Sequence, residues 1–306
     1  MIYEVTHVTR YTYGATVEMT NGVMRLTPVS RDGQILGRFD LDTSPRCLPP
    51  RERIDPFGNR VLSLRIEYPH RELAVTARSR VHVDRPGPPA RSPPWETVAS
   101  EALLIDSLAP DSPAPALYPS RRIPLFDEAA AYARESFAEG RPVYEAALDL
   151  ARRMRSEFVY DPEATEVSTP AAVAFAQRRG VCQDFANIMI AALRGLALPA
   201  LYVSGYIRTI PPPGKERLAG ADASHAWVSL WCGSALGWIG FDPTNAMSVR
   251  NDHIEIARGR DYSDASPIES LVLSYGAHDL EVTVDVVPLP AEPAHAARRK
   301  EDPFPD

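Results

Sequence analysis

The chain has 306 residues, 44% of them hydrophobic and 24% charged, the balance of a globular protein long enough for two domains. A net charge of −7 argues against a polyanion partner, and no apolar run approaches the roughly 20 residues a membrane helix needs, so neither nucleic acid nor a membrane is expected. Three cysteines, Cys47, Cys182 and Cys232, without CxxC spacing, together with a start that lacks signal-peptide regions, point to a reducing, cytoplasmic setting.

Residues 1–85 read as β structure. The runs from Tyr3 to Tyr11, Val61 to Ile66 and Leu73 to Val81 alternate in hydrophobicity, and turn signals fall at Asn21-Gly22, Asp32-Gly33 and Asp55-Pro56-Phe57-Gly58-Asn59. Short strands at that spacing suggest a small antiparallel sandwich. His7 and His82, which lie in these strands with no carboxylate near in sequence, are expected to be partly buried structural residues.

Residues 86–120 form a proline-rich linker, beginning Arg85-Pro86-Gly87-Pro88-Pro89, with a short helix after Trp95. A core over 121–290 and a tail over 291–306 follow. In the core, helices are expected from Phe126 to Phe137, from Pro142 to Phe158 and from Pro170 to Gln177. The last delivers the chain to Arg179-Gly180-Val181-Cys182-Gln183-Asp184-Phe185, a glycine turn running into a helix. Phe185, Ile188, Met189, Ala192, Leu193 and Leu196 recur at the spacing of one buried face. Cys182 lies in the first turn, where the helix dipole and free N–H groups favour a thiolate. A carboxylate at Asp184 is favoured by the same dipole whatever the function.

Ala200 to Ile207 reads as a strand, and Arg208 to Asp222 as a loop bordering His225. Ser224 to Trp231 and Trp238 to Thr244 then alternate as a hairpin. A two-residue loop would set His225 opposite Asp242; a longer one makes them diagonal neighbours. Either way the carboxylate can orient the imidazole, and the imidazole can take the proton of Cys182. Zinc bound by Cys182, His225 and Cys232 is disfavoured, because His225 and Cys232 are an odd number apart on one strand and face opposite ways. No metal or cofactor is expected. The region after Asp242 holds alternating Ile254 and Ile256, a charged surface turn from Ala257 to Asp264, and a last strand from Leu280 to Val286.

The segments Gly180-Val181-Cys182-Gln183-Asp184-Phe185-Ala186, Asp222-Ala223-Ser224-His225-Ala226-Trp227 and Gly240-Phe241-Asp242-Pro243-Thr244-Asn245 resemble the bacterial transglutaminase-like family, within the transglutaminase and papain-like superfamily. Tyr3-Glu4-Val5-Thr6-His7 and Asp55-Pro56-Phe57-Gly58-Asn59 resemble its N-terminal β domain. One position departs from the family: Asn187 stands where histidine is frequent, more than a helical turn from Cys182.

The resemblance implies an α+β fold: an N-terminal antiparallel β-sandwich-like domain, then a papain-like core with the nucleophile at a helix start packed on an antiparallel sheet. It also implies Cys182 as nucleophile, His225 as general base and acid, and Asp242 as orienter. Trp227 and Tyr206 are the candidates for substrate contact and for a second oxyanion donor beside the Cys182 N–H. The expected activity is acyl transfer from peptide or glutamine-type amides through a thioester, with a peptidase or amidase favoured. A cross-linking transglutaminase or a non-catalytic scaffold is the alternative.

Overall fold

The computed structural model describes residues 1–209, 223–272 and 276–290. The strands β1 (Ile2–Val17), β2 (Thr20–Met24), β3 (Gln34–Ser44), β4 (Glu52–Ile54), β5 (Arg60–Ile66) and β6 (His70–Val83) come first. They are followed by α1 (Trp95–Ala102), α2 (Asp127–Arg134), α3 (Val143–Glu157), β7 (Val159–Tyr160), α4 (Ala171–Gln177), β8 (Arg179–Gly180) and α5 (Cys182–Arg194). The strands β9 (Ala200–Ile207), β10 (Ala223–Trp231), β11 (Trp238–Asp242), β12 (Met247–Ser248) and β13 (His253–Gly259) lead to α6 (Tyr262–Ala265), β14 (Ile268–Val272) and β15 (His278–Leu289). The expected tail over 291–306 and most of the expected loop, residues 210–222, lie outside the described residues.

The N-terminal domain packs two four-stranded sheets, ordered β15-β1-β6-β3 and β14-β2-β5-β4. Its core joins Met24, Leu64 and Ile66 of one sheet to Val17, Leu73 and Val75 of the other, the product of period-2 alternation on facing strands. Two expected boundaries are corrected. The segment from Ile268 to Leu289, expected inside the core, returns to the N-terminal domain: β15 pairs with β1 and β14 with β2. Alternation identifies a strand but not its partner. The linker over 86–120 is partly core as well, since Val98, Ala102 and Leu117 are buried among the helices and Arg194 donates to the Ala116 carbonyl at 3.0 Å.

The second domain is built on the five-stranded sheet β12-β11-β10-β9-β13. Helix α5 lies between that sheet and α2 and α4. Every residue from Asp184 to Arg194 is buried, so α5 is covered all round and not along one face as its periodicity suggests. Its polar members are held individually. Arg194, for example, reaches the carbonyls of Ala116, Ala200 and Arg260. The charged turn after β13 divides: Arg260 pairs with Asp264 at 3.0 Å on the surface as expected, whereas Arg258 is buried.

Two amide side chains fasten the domains together. β13 is an edge strand of the central sheet, and an open edge leaves backbone donors and acceptors unpaired. The Asn59 amide closes one position, donating to the Arg258 carbonyl (2.7 Å) and accepting from its N–H (2.9 Å). Gln34 does the same at Glu255, at 2.8 and 2.9 Å. An amide carries a donor and an acceptor side by side, so it replaces one rung of a missing strand. Asp55 accepts from the Asn59 amide at 2.9 Å and holds it in place, which accounts for the Asp-Pro-Phe-Gly-Asn turn. Apolar contact of Tyr3, Val5, Val284 and Val286 with Tyr206, Ile254 and Ile256 completes the junction.

Candidate active site

Cys182 is the first residue of α5 and is half-buried. The amides of a first helical turn have no intrahelical acceptor, so free N–H groups and the positive dipole end lie at the helix start that carries Cys182. Asp184 shapes this start: its Oδ2 accepts from the Val181 N–H at 2.8 Å and the Thr165 hydroxyl at 2.6 Å. The carboxylate lies so close to Gly180 that a Cβ there would collide with it. Asp184 is thus a capping residue, the structural role expected of it.

The hairpin register puts Val228 opposite Phe241 and Trp231 opposite Trp238. Because the connection is longer than two residues, His225 and Asp242 are diagonal neighbours, and the ladder to β11 has ended before His225. The imidazole Nε2 donates to Asp242 Oδ2 at 2.8 Å. That leaves Nδ1 for the thiol, and the ring does interact with Cys182. Burial by itself would depress the imidazole. The Asp242 hydrogen bond and charge, with help from Cys182, outweigh it and push His225 up to about 10. Burial likewise works against the Asp242 carboxylate, yet hydrogen bonds from two histidines hold it far below the usual carboxylate range.

The second of those histidines, His253, is absent from the sequence reading. Its Nε2 donates to Asp242 Oδ2 at 3.0 Å, and its Nδ1 accepts from the Arg250 N–H at 3.4 Å, which fixes the tautomer. Asn245 donates its side-chain N–H to the same oxygen at 2.7 Å, and the amides of Thr244 and Asn245 donate to Oδ1. The only signal available was the alternation around Ile254 and Ile256, which sends His253 to the other face. His253 stands on β13, separated from β10 by β9, so nothing in local sequence joins it to His225. The ligating atoms of His225, Asp242 and His253 lie within 4.8 Å of one another, a donor set that suits a metal ion. All three atoms are already committed to hydrogen bonds through Oδ2, and a metal would have to displace these and take the imidazole away from the thiol.

A cleft of about 420 Å³ opens at Cys182 and His225, lined also by Val181, Gln183, Tyr202 and Ser204. Neither secondary candidate lines it. Trp227 points to the opposite side of the sheet, where its ring lies 5.3 Å from His253 and borders another cavity. It packs over Gly205, where a Cβ would collide with the indole. Tyr206 is buried at the domain junction, with its ring 5.6 Å from His7. The two histidines expected to be partly buried structural residues differ from each other. His82 is exposed, whereas His7 is buried, lowered to about 4 by that burial, and lines the cysteine cleft.

The sequence matches the profile of the bacterial transglutaminase-like N-terminal region over residues 3–82 and that of the transglutaminase-like superfamily over residues 130–243, a span that includes Cys182, His225 and Asp242. An uncharacterised protein of Mycobacterium tuberculosis is 38% identical over 306 residues, covering 96% of this chain and 95% of its own. One from Mycobacterium leprae is 32% identical over 288 residues, covering 93% and 98%. The crystal structure of a proposed cysteine protease from Cytophaga hutchinsonii shares the fold, with a TM-score of 0.71 at 21% identity over 96% of this chain and 93% of that one. The chain therefore belongs to the bacterial transglutaminase-like family, with both its N-terminal region and its superfamily core.

Proposed function

We propose that the protein is a cysteine-dependent acyl-transfer enzyme acting on peptide or glutamine-type amides, and that hydrolysis is its main outcome. The observation that carries this reading is the chain of contacts from Cys182 through His225 to Asp242, with the imidazole held basic at about 10 by its buried partner. In the acylation step the Cys182 sulfur forms a bond to the amide carbon while the carbon–nitrogen bond breaks, and His225 gives its proton to the departing amine. First-turn amides of α5 receive the negative charge that develops on the carbonyl oxygen. In the second step His225 takes a proton from water, the oxygen bonds to the acyl carbon, and the thiol leaves.

Asp242 orients the imidazole and stays ionised throughout. An amine entering in place of water would give cross-linking. Three unpaired cysteines suit a reducing compartment, and we place the protein in the cytoplasm on that ground.

Mass-spectrometric alkylation from pH 5 to 9, following Cys182, Cys47 and Cys232 separately, tests the nucleophile. The expected result is fast labelling of Cys182 alone, slowed at pH 6 by His225→Ala. Equal, slow labelling of all three cysteines would turn the reading into that of a binding scaffold. Glutamine-containing peptides, with and without a primary amine, then separate hydrolysis from transamidation.

A further inference from the structure

The cysteine cleft has two walls of different chemistry, and one of them belongs to the N-terminal domain. On the catalytic side stand Gln183 and Ser204, polar groups beside the nucleophile. The facing wall is the β1/β15 ladder. There Thr9 pairs with Val282 and Tyr11 with Leu280, and cross-strand partners project to the same side of a sheet. All four, with His7, line the cleft.

This is one face of a single 16-residue strand put to three uses. Tyr3 and Val5 seal the domain junction, Tyr13 and Val17 enter the sandwich core, and the stretch between them faces Cys182. Where β15 passes the junction its apolar residues lose their cover: Val284 and Val286 are buried, whereas Val282 is 43% and Leu280 55% exposed. Alternation continues past the point where the fold needs it, which leaves an aliphatic surface inside a catalytic cleft. Ile268 of β14 extends the same wall.

We propose that the β1/β15 face is the specificity wall of the enzyme, and that its substrate is a peptide carrying a bulky aliphatic or aromatic side chain next to the acyl group transferred to Cys182. This rests on Cys182 being the nucleophile. The polar wall receives the amide under attack, and Leu280, Val282 and Tyr11 take the neighbouring side chain out of water. The N-terminal domain is then a part of the substrate site as well as a brace for β13.

Two reagents of equal warhead test it. Iodoacetamide reports the thiol alone, since the sulfur displaces iodide with little else to bind. N-phenethyl-iodoacetamide adds an aromatic tail for the wall. In the wild type the second reagent labels Cys182 about tenfold faster, the equivalent of ~1.4 kcal/mol of binding. The double variant Leu280→Thr/Val282→Thr puts β-branched residues, which strands favour, at both positions; it brings the two rates together. Leu271→Thr on β14, 69% exposed and outside the cleft, keeps the wild-type ratio. A tenfold ratio that survives in the double variant overturns the wall while the nucleophile stands. Iodoacetamide labelling that does not favour Cys182 over Cys47 removes the nucleophile, and the wall with it.

Discussion

The two sides of the central sheet surround the candidate triad in opposite ways. Towards α5, the sheet presents Tyr202, Ser204 and Ala226, and the helix start brings Cys182 to an open cleft. On the other side lie Gly205, Trp227, Asp242 and His253, a sealed layer in which Asp242 and His253 have no measurable exposure. His225 belongs to both. The open side holds a thiol beside a cleft; the sealed side holds fixed charge where water cannot screen it. A carboxylate that accepts five hydrogen bonds there stays ionised, and the imidazole resting on it stays basic.

The largest effect is expected on the open side. Cys182→Ala removes the atom proposed to form the acyl bond, and turnover should fall by roughly 10⁴- to 10⁶-fold. A half-buried thiol in a cleft contributes little to packing, so the melting temperature should stay within a few degrees. Turnover that persisted in this variant would place the chemistry elsewhere.

Asp242→Asn attacks the sealed side and should cost roughly 10³- to 10⁴-fold, because the imidazole loses both its orientation and its counter-charge. It also changes how stability depends on pH. His225 is raised in the folded state from 6.5 to about 10. A raised imidazole contributes stability that is fully present below the unfolded value and is lost as pH rises through the folded one. Wild-type stability should therefore fall between about pH 6.5 and 10 relative to the Asn variant, in which the imidazole has no charge to hold it. Parallel thermal melts across that range measure the difference. A constant gap between the two curves would mean that the pair is not charged in the folded protein.

The sequence made the open side legible and left much of the sealed side out of sight. Gly180 and Cys182 are joined by a turn and a helix whose signals lie within one short stretch. His225 and Asp242 sit on consecutive strands of a hairpin, so alternation carries one to the other even with the loop length unknown. His253 meets them from across β9, and β14 and β15 return to sheets begun more than 200 residues earlier. Pairings of that range leave no local pattern. The same holds for Trp227, correctly placed on the face of His225 by period-2 counting but expected to touch substrate. It fills the space over Gly205, and which cover a face receives is decided by the rest of the fold.

His253 allows the sealed layer to be weakened without removing its charge. His253→Leu takes one donor from Asp242 Oδ2, and a hydrogen bond to a charged group is worth about 1.5–3 kcal/mol, so kcat should drop by about 10- to 100-fold. His253→Gln, which can still present an N–H, should recover a good part of that loss, whereas a purely packing role would rank the two variants by volume. Equal damage from both substitutions, with no change in the pH profile of Cys182 labelling, would reduce His253 to a packing residue.

The smallest expected effect on chemistry comes from the domain brace. Asn59→Ala leaves the Arg258 N–H and carbonyl without partners at a buried sheet edge, a loss of about 1–3 kcal/mol. β13 carries His253 at its far end, yet Gln34 still holds the strand at Glu255, so iodoacetamide labelling of Cys182 should change by less than about threefold. The double variant Gln34→Ala/Asn59→Ala releases both rungs. If the brace positions the relay, labelling should now slow well beyond the sum of the single effects, because residues that act on one element do not contribute additively. Purely additive losses would instead confine the amides to stability and leave the sealed layer to hold His253 by itself.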